Sequence, residues 1–501
     1  MKSLALTCLT PACLLFIATL AHAQSSNIFL DRDYWASKPS IEEINVKIEE
    51  GNDPTVLDNN SFDPVTMAIL ANVPNETAKY LMSLEGNGVN KLTHDGRTYI
   101  FWAAYQGNLP LMEYLIAEGA KTDIVDDHGY SLLNFAATTG QQNPELYDYL
   151  LANGASLTET DHHGANALLL LVPHLEDFKM VDYFAEKGLD LNSKDSEGNG
   201  VFNYTAKTGN TEMMDQLIEK GVDYKGINEI GGNAMIFASQ GTRGGVPSLS
   251  VFKYLEGLGI EPNVTTEHGL TPLHNLAARA RDTEVITYFI DKGVDVNQTD
   301  DEGNTPLMNA ASRNNLEVVS LLTEKTEDIN AGNEDGQTAL TNAVASNSPE
   351  VVNYLIAEGA DVHVEDEDGN TLASYLIQSY NPANTAGFEA KLQSLQNEGL
   401  ELNVPQANGN TLFHLAVEKN SLDLLKQVQE LGSDVNAQNE DATTPLQIAA
   451  MKATNEEILK YLIEIGASTE VVTAFDETVY DLASENELLK ENGASINFLK
   501  Q

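Results

Sequence analysis

Two series of small residues run through the chain at a fixed offset, and no other feature constrains the fold as much. Glycines stand at 96, 129, 164, 198, 231, 269, 303, 336, 369 and 409, and Ala442 and Asp476 continue the series at intervals of 33 to 40 residues. A second series comprises Gly86, Gly119, Gly154, Gly188, Gly221, Gly259, Gly293, Thr326, Gly359, Gly399, Gly432 and Gly466. Each of its members lies ten residues before a member of the first. Self-similarity at this period means stacked supersecondary units, each unable to bury its apolar face alone. A chain of 501 residues is in any case too long for one compact core.

The parts of one unit follow from its residues. In "NTPLMNAAS" (304 to 312), Thr305 is placed to cap a helix and Pro306 to occupy its first position. Leu307, Ala310 and Ala311 then share one face. A loop around "RNN" leads to a second helix, "LEVVSLLTEK", expected to bury Val318, Val319, Leu321 and Leu322 and to end on the left-handed cap that glycine supplies. The link "GVDVNQTDDE" (293 to 302) has alternating Val294 and Val296 before a polar turn. Its constant length implies an extended segment and tight turn in register with its neighbours, whereas the loop between helices tolerates insertion.

This pattern resembles the ankyrin repeat. The resemblance rests on the period, on "TPLH" (271 to 274) and "TPLM" (305 to 308), and on "EGADVH" (358 to 363) and "KGVDVN" (292 to 297). It covers roughly 95 to 494, with weaker units back to about 62. It implies an all-α repeat fold, an ankyrin solenoid of about 12 helix-turn-helix units with short β-hairpin connections. The expected organisation is a signal peptide over 1 to 23, an N-terminal capping segment over 24 to 61, the array over 62 to 475, and a C-terminal capping repeat over 476 to 501. The amphipathic "SIEEINVKIEEGNDP" (40 to 54) belongs to the first cap, and the last unit has a shortened second helix. Three internal departures stand out. Leu171 and Val172 replace the small pair near 164, with Pro173 ending that helix early, and "QGTRGGVPSLS" and "QSYNPANTAGFEA" carry extra residues.

The leader is read from Lys2, the apolar "LALTCLTPACLLFIATL" and the small residues Ala21 and Ala23 before Gln24. Removal after Ala23 would export the chain to the periplasm or outside the cell, with no membrane insertion afterwards. Both cysteines, Cys8 and Cys13, fall within this segment, so the exported chain would have no disulfide and no thiolate chemistry. Lys and Arg total 28 against 75 Asp and Glu, a net charge of −47. Such a field repels phosphate backbones and anionic lipid, so nucleic acid is excluded as a partner class and a basic protein is favoured.

No phosphate loop, HExxH, GxSxG or serine–histidine–acid set is present, so no catalytic residue is assigned. Histidines cluster near the turns at 94, 128, 162, 163, 268 and 363. Tips stacked about 10 Å apart are too distant for two of them to share one ion at about 2 Å each, so neither a metal site nor a cofactor is assigned. "EDEDGN" (365 to 370) and "DDEGN" (300 to 304) look like calcium loops, but Val364 stands where the first acid is needed. A calcium- or pH-responsive structural protein is the alternative reading, and an extracytoplasmic enzyme a more distant one.

What the resemblance implies is a monomeric protein-binding scaffold. In ankyrin arrays partners are met by hairpin tips and by residues late in the first helix, which line the concave face. Carried over, these places hold Tyr105, Gln106, Asp127, His128, Tyr130, Thr138 and Thr139 in the early units. In the later units they hold Glu267, His268, Arg279, Asp301, Glu302, Ser312, Arg313, Glu334 and Asp335. Trp102 and Phe135 are assigned to the core. His274 is assigned to the scaffold, in a slot that other units fill with Met308, Thr341 or Gln447.

Overall fold

A computed structural model describes residues 27 to 500; the expected leader, 1 to 23, lies outside the described residues. The chain divides into two compact units, the first ending at Ala167 and the second beginning at Leu168. Both are built from antiparallel helix pairs, and among the described residues there is no β-strand. Three of the hairpins are closed by isolated bridges, Val125 to Ser131, Lys194 to Gly200 and Glu365 to Thr371. The expected β-hairpins are thus turns among the described residues, and only these three carry a bridge.

One repeat of the second unit shows why these residues fold this way. The inner helix Pro306–Arg313 starts at Thr305, whose hydroxyl accepts the Met308 N–H at 3.3 Å, with Pro306 supplying the preset φ of the first turn. Leu307, Met308, Ala310 and Ala311 are buried against the inner helices before and after it, and the two alanines allow close approach. Asn314 then ends the helix as a clamp, its amide donating to the carbonyls of Ala277 and Ala280 in the preceding repeat at 2.6 and 2.7 Å. Asn347 and Asn486 repeat this clamp. The outer helix Leu316–Thr323 buries Val318, Val319 and Leu322, but Leu321 is half-exposed, contrary to the sequence reading, because it lies off the apolar stripe.

The constant ten-residue link is pinned at both ends. Near its start an asparagine bridges to the next repeat: Asn330 donates to Gly359 O at 3.2 Å and accepts the Asp361 N–H at 2.7 Å. Asn90 and Asn436 do the same. Near its end the tip is held by the glycine turn. Ala442 and Asp476, which replace that glycine, keep φ at +56° and +62°, so the turn enforces the left-handed conformation even at the steric cost of a Cβ.

Irregularities fall where length was free to vary. The helix Ala167–Leu171 is cut to five residues and followed by the 3-10 turn Val172–His174, and the division between the two compact units falls inside it. The insertion near 242 folds into a tight turn bridging Thr242 and Gly245. The insertion near 382 forms the 3-10 turn Pro382–Asn384 and lengthens the following outer helix to 13 residues, Thr385–Asn397. At the start, helices Arg32–Ala36 and Ile41–Glu49 cover the first repeat with Phe29, Trp35 and Ile44 fully buried. Ser61, at φ +61° and ten residues after Gly51, carries the tip geometry one unit further back than the glycines reveal. At the other end, Glu487–Glu491 is the shortened last helix.

A Cβ on Gly303 would lie 2.9 Å from the Glu334 backbone nitrogen, whereas one on Gly359 would meet nothing within 4 Å; both have positive φ. Each Gly→Ala change should cost about 1 kcal/mol for the backbone conformation. Gly303→Ala should lose a further 1–3 kcal/mol, roughly, from overpacking between tips. Urea denaturation of the two variants side by side measures the difference.

Candidate functional site

Most of the hairpin tips share one device. The residue three before the tip glycine turns its side-chain oxygen back to accept two N–H groups of the turn. Asp300 accepts those of Glu302 and Asn304 at 3.1 and 2.8 Å, Asn333 those of Asp335 and Gln337, and Asp366 those of Asp368 and Asn370. Asp126 and Asp161 do the same in the first compact unit. These short polar side chains suit Asx turns, so many of the acids are structural. Asp300 and Asp366, one in each of the two calcium-like stretches, have their carboxylates engaged in this way.

Successive tips are then joined backbone to backbone. Glu267 N–H donates to Ile230 O, Asp301 to His268 O, Glu334 to Glu302 O and Glu367 to Asp335 O, at 2.7 to 3.0 Å. This ladder leaves the side chains of Glu267, Asp301, Glu302, Glu334 and Asp335 exposed in a row on fixed backbone. His268 stands in the same row and pairs with the next tip, Nδ1 to Asp301 Oδ2 at 2.7 Å, both side chains more than half exposed. In the first unit Asp127 N–H donates to Asp95 O, and His128 reaches back to the Asp95 carboxylate at 3.3 Å.

The other sequence-assigned positions divide by what their polar atoms already do. Tyr105 is exposed at the end of its inner helix, but the Gln106 amide donates to Leu70 O at 2.7 Å and so ties two repeats together. The Thr139 hydroxyl is turned onto Phe135 O and Ala136 O of its own helix. Tyr130 and Thr138 are half-buried and bonded to each other, and burial pushes the phenol above its ordinary value. Arg279 and Arg313 are exposed on the last turns of consecutive inner helices, with Ser312 half-buried beside Arg313. Trp102 and Phe135, assigned to the core, are each 4% exposed. Against both rings lies a group the sequence reading did not single out: Arg97, 5.4 Å from Trp102 and 4.5 Å from Phe135, ion-paired to Asp95 and Asp126. The signal for it was present, as an arginine next to a tip glycine in an arginine-poor chain.

His274 is 1% exposed. Its Nδ1 faces the N–H and hydroxyl of Thr271 at 3.1 and 2.9 Å, so it is the accepting nitrogen, and the proton is on Nε2, which donates to Asn304 O of the next repeat. His414 makes the same set of bonds with Thr411 and Thr443. Gln447 reproduces it with an amide, Oε1 accepting from Thr444 and Nε2 donating to Val471 O. The slot therefore selects one acceptor and one donor at opposite ends of a side chain. Thr341 is too short for the second bond and closes onto Thr338 O. Asn134, in the same slot and fully buried, reaches neither partner with its amide.

Among the described residues no group of three or more His, Cys, Asp or Glu side chains is arranged to hold an ion, and no helix is long and apolar enough to cross a membrane. A shallow cleft lined by Asn353, Ile356, Ala357, Ser394, Asn397 and Glu398 lies between two outer helices. What the geometry offers, within each compact unit, is a run of fixed tips and inner-helix ends.

A family model described as ankyrin repeats (3 copies) matches four segments, residues 46–161, 243–333, 273–366 and 382–473. Among curated proteins, protein fem-1 homolog A of Homo sapiens is 31% identical over 105 residues, which is 18% of this chain and 16% of that protein. Protein fem-1 homolog A-A of Mus musculus matches to the same extent. The chain thus spans about a sixth of the length of these relatives. Among solved structures, the human ASB11 ankyrin repeat domain is 23% identical, with a TM-score of 0.37, covering 44% of this chain and 96% of that one.

Burial holds both His274 and His414 below the ordinary imidazole value of 6.5. The folded state therefore binds these protons less readily than the unfolded chain. Their contribution to stability is complete above about pH 6.5 and is lost as pH falls through that value toward the folded ones. Stability should decline between pH 7 and 5.5, and the double variant His274→Gln/His414→Gln should flatten that decline. Urea unfolding at a series of pH values reads the slope, and an unchanged slope would refute the assignment.

Proposed function

The chain belongs to the ankyrin-repeat family, and from that premise we propose that it is a non-catalytic scaffold that recognises a partner protein outside the cytoplasm. The family is in general a protein-interaction fold without catalysis of its own. The observation carrying the proposal is the tip ladder. Its hydrogen bonds fix the backbone at Glu267, Asp301, Glu302, Glu334 and Asp335, while their side chains stay in solvent. A preordered row loses little further backbone entropy on binding. Its charge, and the net −47 of the whole chain, favour a basic surface on the partner at the tips and a fast, salt-sensitive encounter. His268 also stands in this row, its imidazole paired with the Asp301 carboxylate at 2.7 Å.

The export reading rests on the leader alone, with the chain acting as a monomer in the periplasm or beyond the cell. Two measurements test these readings. Amino-terminal sequencing of the protein from the extracytoplasmic fraction should begin at Gln24; an intact amino terminus recovered from the cytoplasm would overturn export. In affinity capture from that fraction, the chain should retain a protein that the variant Asp301→Lys/Glu302→Lys/Glu334→Lys/Asp335→Lys loses by ten-fold or more at unchanged thermal stability. Retention of nothing across a range of salt, or equal retention by the variant, would count against the tips as the binding surface.

A further inference from the structure

The strongly acidic chain carries one concentration of opposite charge. Of its six arginines, four lie between 243 and 313: Arg243, Arg279, Arg281 and Arg313. All four are exposed, in the loops and last turns where the inner helices of three consecutive repeats end. They are contiguous. Arg279 Nη1 lies 3.5 Å from Thr242 O, beside Arg243, and Arg281 Nη1 donates to Arg313 O and to Asn314 Oδ1 at 3.0 Å each. Lys207, half-buried at the end of another inner helix, sits over the Phe237 ring at 5.4 Å and extends the patch.

None of these five cations is ion-paired; the three guanidinium contacts that Arg279 and Arg281 form go to two backbone carbonyls and one amide oxygen. The nearest acids in sequence are otherwise engaged. Asp282 caps the outer helix through the Glu284 N–H at 2.8 Å, and Glu284 and Glu317 lie in first turns of outer helices, where the helix dipole favours them. Lys207 is driven below the ordinary lysine value by burial and then by the charge of Arg279, as expected where cations crowd without a counterion.

Helix dipoles explain part of the pattern. Arg279, Arg313 and Lys207 lie in last turns, where a cation is worth about 0.3–1 kcal/mol. Arg243 and Arg281 lie in loops and gain nothing of this kind. Guanidinium groups were retained there although an acidic chain offers carboxylates to neutralise them.

We infer that the loops carrying Arg243, Arg279, Arg281 and Arg313, with Lys207, form a docking surface for an acidic segment of a protein partner. The inference rests on the protein-binding reading and names the chemistry of a second contact, separate from the tips. Guanidinium forks suit carboxylates in paired hydrogen bonds. Screening over about 8 Å at physiological salt lets this local patch act at contact. The distant acids still repel a long polyanion such as nucleic acid during approach.

The test uses the full mature chain and a fluorescein-labelled ten-residue glutamate-rich peptide, followed by anisotropy at 50 and 300 mM NaCl. The peptide should bind, weaken several-fold at the higher salt, and lose ten-fold or more in affinity for Arg243→Glu/Arg281→Glu, whose changes lie outside helices. Arg243→Gln/Arg281→Gln should lose less, and Lys490→Glu, at the far carboxyl end, should bind like the unaltered chain. No binding, equal loss in Lys490→Glu, or a ten-nucleotide oligothymidylate binding as tightly as the peptide would overturn the assignment. If partner capture through the tips persists while the peptide fails, the docking surface is wrong and the scaffold reading stands. If the peptide binds as described while capture fails, the surface stands and the tip reading falls.

Discussion

The array depends on the hairpin tip, where a side-chain oxygen folded back onto the turn, a left-handed residue and a backbone hydrogen bond to the previous tip act together. Asp300, Gly303 and the bond from Asp301 N–H to His268 O form one such set. Each element alone is worth about a kilocalorie per mole. Their joint effect is register: once a tip is fixed, the ten-residue link behind it can neither lengthen nor slip. The inner helices are thereby held at one spacing, at which Ala310 and Ala311 pack and Asn314 reaches two carbonyls of the repeat before. Functional side chains inherit their positions from this frame.

Much of this was legible in the sequence because the constraints are local. Positive φ demands glycine, a helix start demands a threonine and tolerates proline, and both recur at fixed offsets, so the repeat could be read unit by unit. What escaped reading depends on partners in other repeats. The asparagine clamps at 314, 347 and 486 look like ordinary helix-ending residues until the carbonyls they bridge are in place. Ser61 does a glycine's task with a side chain that gives no sign of it. Leu321 was counted as core because a run of aliphatic residues does not reveal which of them faces outward.

The candidate surface was legible to a smaller degree. Sequence offsets found the exposed tips and the ends of the inner helices, but not which side chains were already engaged. Gln106 and Thr139 hold hydrogen bonds within the scaffold, and Arg97 is enclosed by two aromatic rings and two carboxylates. The separation of charge was also hidden, since an overall count of acids and bases averages an acidic row of tips with a basic set of loops.

The slot after the cap threonine has a consequence for modularity. In most repeats a residue of the same helix serves the cap. At Thr371 the local residue is Ser374, and the acceptor for the Thr371 N–H and hydroxyl is instead Gln406, a 3%-exposed side chain supplied by the following repeat. These two repeats are therefore complementary parts of one joint. Shuffling, deleting or duplicating either of them by recombination would strand a buried donor, so this stretch should be inherited as a pair while its neighbours can be exchanged singly.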